Sequence, residues 1–355
     1  MATGWPMKTT YANGDVYSSQ DVNDITGTIN LLGSSVAYAA GKNKIINGDF
    51  GVWQRGTSFA SIASNVYFAD RFAASNTAGG GTITFSQQTF TPGTAPVSGY
   101  ESQYFARLAV TSGSGSTVTG CYQKIENVRT LAGQTITVSF WAKADSARTL
   151  GIYTQQNFGS GGSGAVTTST TRTLTTSWAR YTYTLSLASI SGKTIGTGSF
   201  LYIAIELGAG QASGTVTLDT WGWQVEQGST ATAFQTATGT IQGELAACQR
   251  YFNSMDCSLN ANAFLGTGVF TSTTNLRALV PLAVTLRGNP SVSFSAGNTF
   301  LAQDGGNYTG SAVAADQLSV NNVGVNLTVS GATAYRAGIL LGATTAGKIS
   351  ISAEL

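Results

Sequence analysis

FLYIAIEL (200–207) places Leu201, Ile203, Ile205 and Leu207 on one face, opposite Phe200, Tyr202, Ala204 and Glu206. Successive side chains of a β-strand point to opposite sides, so this stretch is predicted to be a half-buried strand. The same period of two runs through TITVSFWAKA (135–144), where Ile136, Val138 and Phe140 oppose Ser139, Trp141 and Lys143. ARYTYTLSL (179–187) groups Tyr181, Tyr183, Leu185 and Leu187. Gly/Ser-rich connectors such as SNTAGGG (75–81) and FGSGGSGAV (158–166) separate the runs. Strands at this spacing predict an antiparallel sandwich or jelly roll, and a mainly β protein.

Composition agrees. Of 355 residues, 42% are apolar and only 10% charged, with 44 glycines and 5 prolines. Disorder needs the reverse balance, high charge with low hydrophobicity. The net charge is +2 and no basic run occurs, so nucleic-acid binding is not expected. No apolar stretch is long enough to span a bilayer, and MATGWPMKTT lacks a signal-peptide core, so neither membrane insertion nor ordinary secretion is expected. The cysteines, Cys121, Cys248 and Cys257, have no metal-ligand spacing and read as free, partly buried thiols, with a Cys248–Cys257 disulfide as the alternative. Histidine is absent. Ser-His-Asp and Cys-His mechanisms and His-ligated zinc are thereby excluded, leaving a carboxylate pair as the main catalytic scheme available.

Two segments carry helical periodicity. Val22, Ile25, Ile29, Leu32 and Val36 form an a/d stripe in the first segment, 1–43. Ile241, Leu245, Cys248 and Phe252 form another within IQGELAACQRYF (241–252). Each is too short to stand alone, so each is expected to dock on its own chain or to pack against copies of itself. The organisation predicted is an attachment segment over 1–43, a jelly roll over 44–236, a helical linker over 237–256 and a smaller β-sandwich over 257–355.

Together, NGDFGVWQRG (47–56), ADRF (69–72), SFWAKA (139–144), WARYTYTL (178–185), WGWQVEQGSTATAF (221–234) and ELAACQRYF (244–252) resemble bacteriophage tail-fibre and minor tail proteins. VPLAVTLRGNPSV (280–292) is similar to their terminal β domain, and TTYANGDVYSSQDVNDITGTINLL (9–32) to the leader that ties them to the tail tip. The resemblance implies a jelly roll like carbohydrate-binding modules in a homotrimeric virion protein of the distal tail. Such a protein is made in the host cytoplasm without a signal peptide. It would be joined to other tail-tip or baseplate proteins through its N-terminal segment, and would recognise bacterial surface glycans during adsorption. Both helical stripes then become interfaces between protomers. A purely structural tail-tip component and a polysaccharide depolymerase are the alternatives; against the latter, no carboxylate dyad stands out and no coil-length repeat is visible.

Sugar recognition needs aromatic faces for stacking and planar polar groups for hydroxyls. The faces opposite the inferred core offer Trp141, Lys143, Tyr153, Gln155, Tyr202 and Glu206 as a ligand groove; packing against a neighbouring domain or subunit, or plain exposure at the surface, is the alternative. By resemblance, a structural calcium would sit at Asp49 and Asp219, whose other reading is turn-capping or pairing with an arginine. Trp221 and Trp223 are expected in the core, on one strand face with Asp219, with a bulge nearby or burial on both faces. KIINGDFGVWQRG (44–56) is expected to be the opening strand, with one of Phe50 and Trp53 in the core and the other over an edge, and with Arg55 paired to Asp70.

Overall fold

The computed structural model describes residues 41–76, 82–114, 118–208 and 210–355. The first helical stripe, Val22 to Val36, lies outside the described residues. Strands are numbered along the chain. Sheet I contains β1 (Ser58–Phe59), β4 (Thr82–Thr89), β5 (Tyr104–Ser114), β12 (Ser213–Gln227), β7 (Thr135–Ala144) and β10 (Ala179–Ser186), in that order across the sheet. Sheet II contains β2 (Tyr67–Ala69), β3 (Phe72–Asn76), β6 (Thr119–Glu126), β11 (Phe200–Leu207), β8 (Arg148–Asn157) and β9 (Val166–Leu174). Neighbouring strands run antiparallel.

The period-two patterns land as read. Ile136, Val138 and Phe140 from sheet I meet Leu201, Ile203, Ile205 and Leu207 from sheet II in one core, joined by Tyr181, Leu185 and Leu187. Phe68 of β2 stacks on Phe85 of β4 with centroids 4.1 Å apart, which ties the two sheets together. Each such ring, fully withdrawn from water, contributes about 1.5–3 kcal/mol.

The opening stretch departs from expectation. Residues 43–56 form turns and extended coil, not a strand. Asn47 and Phe50 have φ of 60° and 55°, which a ladder cannot accommodate. Side chains replace the ladder instead: Asn47 Nδ2 donates to the carbonyls of Val52 and Asp70, and its Oδ1 accepts from Val52 N–H. Phe50 is fully buried while Trp53 is only partly so, packed on the core from outside.

The stretch docks on β12, where a register shift between Trp221 and Gln224 frees backbone groups. Trp223 N–H donates to the Gly48 carbonyl, and Asn43 Nδ2 donates to the Trp223 carbonyl. Both tryptophans are buried, as expected, but they do not share a face. Trp223 enters the main core, whereas Trp221 joins an outer cluster with Trp141, Phe90, Phe105 and Phe234. Gly222, at φ 68°, is the residue that switches the parity.

The α-helix Ile241–Gln249 starts at Thr240, whose Oγ1 accepts from Gly243 N–H at 3.0 Å. It ends at Arg250, so Phe252 leaves the helical stripe and enters a strand. Cys248 and Phe252 are buried within this chain, while Ile241 and Leu245 are exposed. Of the four residues expected at an interface between protomers, only the last two are therefore presented outward. All three cysteines are free and buried.

The remaining strands build a second unit with its own core, centred on Phe270, Leu276, Val280, Phe300, Leu327 and Ile349. One sheet is β13 (Phe252–Asp256), β22 (Lys348–Ser352) and β16 (Ser291–Phe294). The other is β18 (Asn307–Thr309), β17 (Phe300–Gln303), β21 (Ala337–Gly342), β14 (Phe264–Ser272), β15 (Asn275–Pro281), β20 (Asn322–Thr328) and β19 (Ala312–Leu318). Because β13 pairs with β22, residues 252–256 belong to this unit and not to a linker.

A charged seam joins the units. Arg71, 1% exposed, pairs with Glu354 and lies over the Tyr251 ring at 3.5 Å. Arg55 bonds Glu354 at 2.9 Å and Asp70 at 3.5 Å, and covers the Phe252 ring at 3.7 Å. The expected Arg55–Asp70 pair is present, within a larger network.

Candidate functional site

The outer face of sheet II carries a row of alternating large and small residues. Register places Tyr67 opposite Ala73, Ala73 opposite Tyr122, Tyr122 opposite Ala204, and Ala204 opposite Tyr153. One row along, Lys124, Tyr202 and Gln155 stand side by side; one row the other way are Ser75, Gly120, Glu206 and Gly151. Small residues let the rings lie down over the sheet. A side chain at Gly151 would meet the Tyr153 ring at 2.5 Å, so that ring lies across the glycine. Tyr122, Ala73 and Ala204 are buried beneath the partly exposed rings of Tyr67, Tyr153 and Tyr202. The result is a mat of four tyrosines.

Polar groups are fixed around it. The Tyr122 and Tyr202 rings are 4.7 Å apart. Tyr122 Oη donates to Asn65 Oδ1 at 2.8 Å. Glu206 Oε1 accepts from Ser75 Oγ at 2.6 Å and from Tyr202 Oη at 3.4 Å. Burial pushes the Tyr122 hydroxyl up to about 12. Burial, then the charge of Glu206, raises Tyr202 as well. These phenols therefore stay protonated at neutral pH and both donate and accept. Flat apolar rings beside a carboxylate, an amide and hydroxyls match what a sugar ring presents: an apolar face and an equatorial fringe of OH groups.

Of the six residues expected to line one groove, the structure brings four together: Tyr153, Gln155, Tyr202 and Glu206. Trp141 and Lys143 lie on β7, in the other sheet. Trp141 is buried against Trp221 and Phe234, and Arg180 lies over its ring at 4.5 Å. Lys143 pairs with Asp219 at 3.6 Å. Sequence reasoning missed Tyr67 and Tyr122. Tyr122 sits in GCYQKIE, an alternating run whose outward positions, Gly120, Tyr122 and Lys124, could have pointed to it.

Asp49 and Asp219 serve different places. Asp219 accepts two bonds from Arg107, at 2.7 and 2.9 Å, so cations of the chain already hold its carboxylate. Asp49 lines a separate cleft of about 630 Å³ with Tyr100, Glu101, Phe234 and Glu244. It accepts from Tyr100 Oη at 3.0 Å, and burial raises its carboxyl above the usual range. Glu244 is raised for the same reason, although Asn47 N–H and Thr238 N–H both donate to it. Among the described residues, no group of three or more Asp, Glu or Cys side chains is assembled to hold a metal ion, and no helix is long and apolar enough to cross a membrane.

No family model matches the chain. No curated protein matches it either. Among solved structures it is similar to a CBM4 structure, at 22% identity over 35% of this chain and 84% of that one, with a TM-score of 0.28. Similarity to the CBM22-2 xylan-binding domain of Paenibacillus barcinonensis Xyn10C is 14% in identity, covering 51% of this chain and 98% of that domain, with a TM-score of 0.30. The enzymatically active domain of tailspike protein 4 of bacteriophage CBA120 is similar at 15% identity and a TM-score of 0.32. That match covers 52% of this chain but only 21% of the tailspike structure. These likenesses are distant, and the site is described from its own side chains.

Proposed function

We propose that the chain binds glycans through the outer face of sheet II, and does so as a tail component of a phage that recognises the bacterial envelope. The observation that carries the binding role is the tyrosine mat. The Tyr153 ring lies across Gly151, and Glu206, Gln155 and Tyr202 occupy neighbouring positions on the same face of the sheet. The tail role, the trimer and attachment through the N-terminal segment are supported by the sequence motifs that resemble tail-fibre proteins. Binding is without turnover: the glycan leaves at its original length.

Affinity electrophoresis tests this. The purified protein is run through gels containing soluble polysaccharides from a panel of bacterial envelopes, with xylan and β-glucan for comparison. Retardation by at least one polysaccharide is expected, with its chain length unchanged after incubation. Tyr153→Ala is expected to weaken that retardation about tenfold, equivalent to about 1.4 kcal/mol, while its circular dichroism spectrum stays that of the parent. Retardation that Tyr153→Ala leaves intact, or none with any polysaccharide, would sink the proposal.

A further inference from the structure

We infer that the cleft between residues 99–104 and 234–244 is a second binding site, which takes a sugar carrying a protonated amine; that the carrier is a sugar rests on the glycan-binding reading above. At about 630 Å³ the cleft falls within the usual range of small-ligand sites, about 300–1,000 Å³. The buried turn at Asp49, Gly51 and Val52 completes its lining. Tyr100 and Phe234 form apolar walls, their rings edge to face with centroids 5.2 Å apart. Both rest on Trp221, at 5.6 and 4.7 Å. Trp221 belongs to the outer cluster of sheet I, so the cleft lies across the sandwich from the tyrosine mat of sheet II.

Charge decides what such a cavity holds. Asp70, Asp219, Glu226 and Glu354 are each paired with an arginine or lysine. Asp49, Glu101 and Glu244 line the cleft, and among the described residues no lysine or arginine lines it with them or pairs with any of the three. Their partners are neutral donors: Tyr100 Oη to Asp49 and Gly93 N–H to Glu101, each at 3.0 Å, and the N–H groups of Asn47 and Thr238 to Glu244. Burial raises Asp49 and Glu244, and the charge of Asp49 raises Glu244 further. A ligand ammonium supplies the missing counter-charge, with its C–H surface against the Tyr100 and Phe234 rings. A carboxylated or phosphorylated sugar brings like charge and is repelled. Breadth favours a ring over a lysine side chain, and Gln103 and Thr236 add an amide and a hydroxyl for its OH groups.

Isothermal titration calorimetry at neutral pH tests this with three probes: the β-1,4-linked glucosamine disaccharide, its N-acetylated counterpart and lysine amide. The free-amine disaccharide is expected to bind at least tenfold more tightly than either of the others. Asp49→Asn, which keeps an acceptor for Tyr100 but removes the charge, is expected to weaken that binding at least tenfold with an unchanged circular dichroism spectrum. Tyr153→Ala, on the far face, is expected to leave it as in the parent. Equal binding of the N-acetylated disaccharide would overturn the role of the amine, and equal binding of lysine amide would overturn the sugar carrier. Binding that survives Asp49→Asn but is lost in Tyr153→Ala would move the ligand to the mat and overturn the cleft, as would no binding of any probe. Retardation by envelope polysaccharides, tested with Tyr153→Ala, stands or falls separately, so failure of the cleft and failure of the mat are distinguishable.

Discussion

Asn47 shows how one buried amide sets the path of the chain into the sandwich. Fully buried, it bonds the backbone of Val52 and Asp70 and so replaces a strand with a fixed turn. The Asn-Gly pair announces a turn in any sequence; that this turn lies inside the protein depends on Glu244 and Asp70, which are remote in the chain. Arg55–Asp70 was legible because the two lie close in sequence and carry opposite charge. Two residues from Asn47, Asp49 offers a pH test. Its raised carboxyl means that the folded state holds the proton more tightly than the unfolded chain. The stability this confers is full below the unfolded value near 4 and is lost as pH rises through the folded value. Asn cannot ionise and suffers no such loss. Asp49→Asn is therefore expected to melt higher than the parent at pH 7.5, by roughly 1–3 °C, with the gap closing toward pH 4. A gap that widens in acid would contradict the assignment.

Among elements, alternation identified the inward faces of β7, β10 and β11 correctly, because burial of one side of a strand leaves a period-two record. Two things left no such record. The first is sheet membership: β7 pairs with β10 and β12, while β11 pairs with β6 and β8. Trp141 and Tyr202 are both outward residues, yet outward from opposite sides of the sandwich. The second is the bulge in β12, since a single left-handed glycine reverses parity without changing composition. Gly222→Ala is expected to be costly for two reasons that add. Its φ of 68° strains any side chain, and a Cβ there would stand 2.6 Å from Trp141 Cε3. A loss of about 2–4 kcal/mol is expected in urea unfolding, with the near-ultraviolet tryptophan signal altered. A variant as stable as the parent would mean that the bulge relaxes freely. The helix shows the same limit from another side: its spacing was visible, but its early end at Arg250, which sends Phe252 into β13, was not.

At the scale of the whole molecule, two separately cored units meet through Arg55, Arg71, Asp70 and Glu354. Alternating runs on both sides of the helical stripe at 241–252 predicted two β units, but no local pattern foretells a seam between residues so far apart. Removing one partner of a buried pair leaves the other charge uncompensated, at about 3–5 kcal/mol. Glu354→Ala is thus expected to lower stability by that order and to split one calorimetric transition into two, as the units lose their coupling. A single transition at the parent temperature would refute the role given to the seam. The seam also has a consequence for synthesis. Arg71 and Glu354 are separated by 283 positions, so a nascent chain can close its first sandwich long before the anion for Arg71 has left the ribosome. Until then the guanidinium sits at the sandwich surface with its principal counter-charge missing. Translation stopped short of residue 354 would yield a folded but unsealed unit, chemically distinct from the finished protein and open to capture by chaperones or proteases.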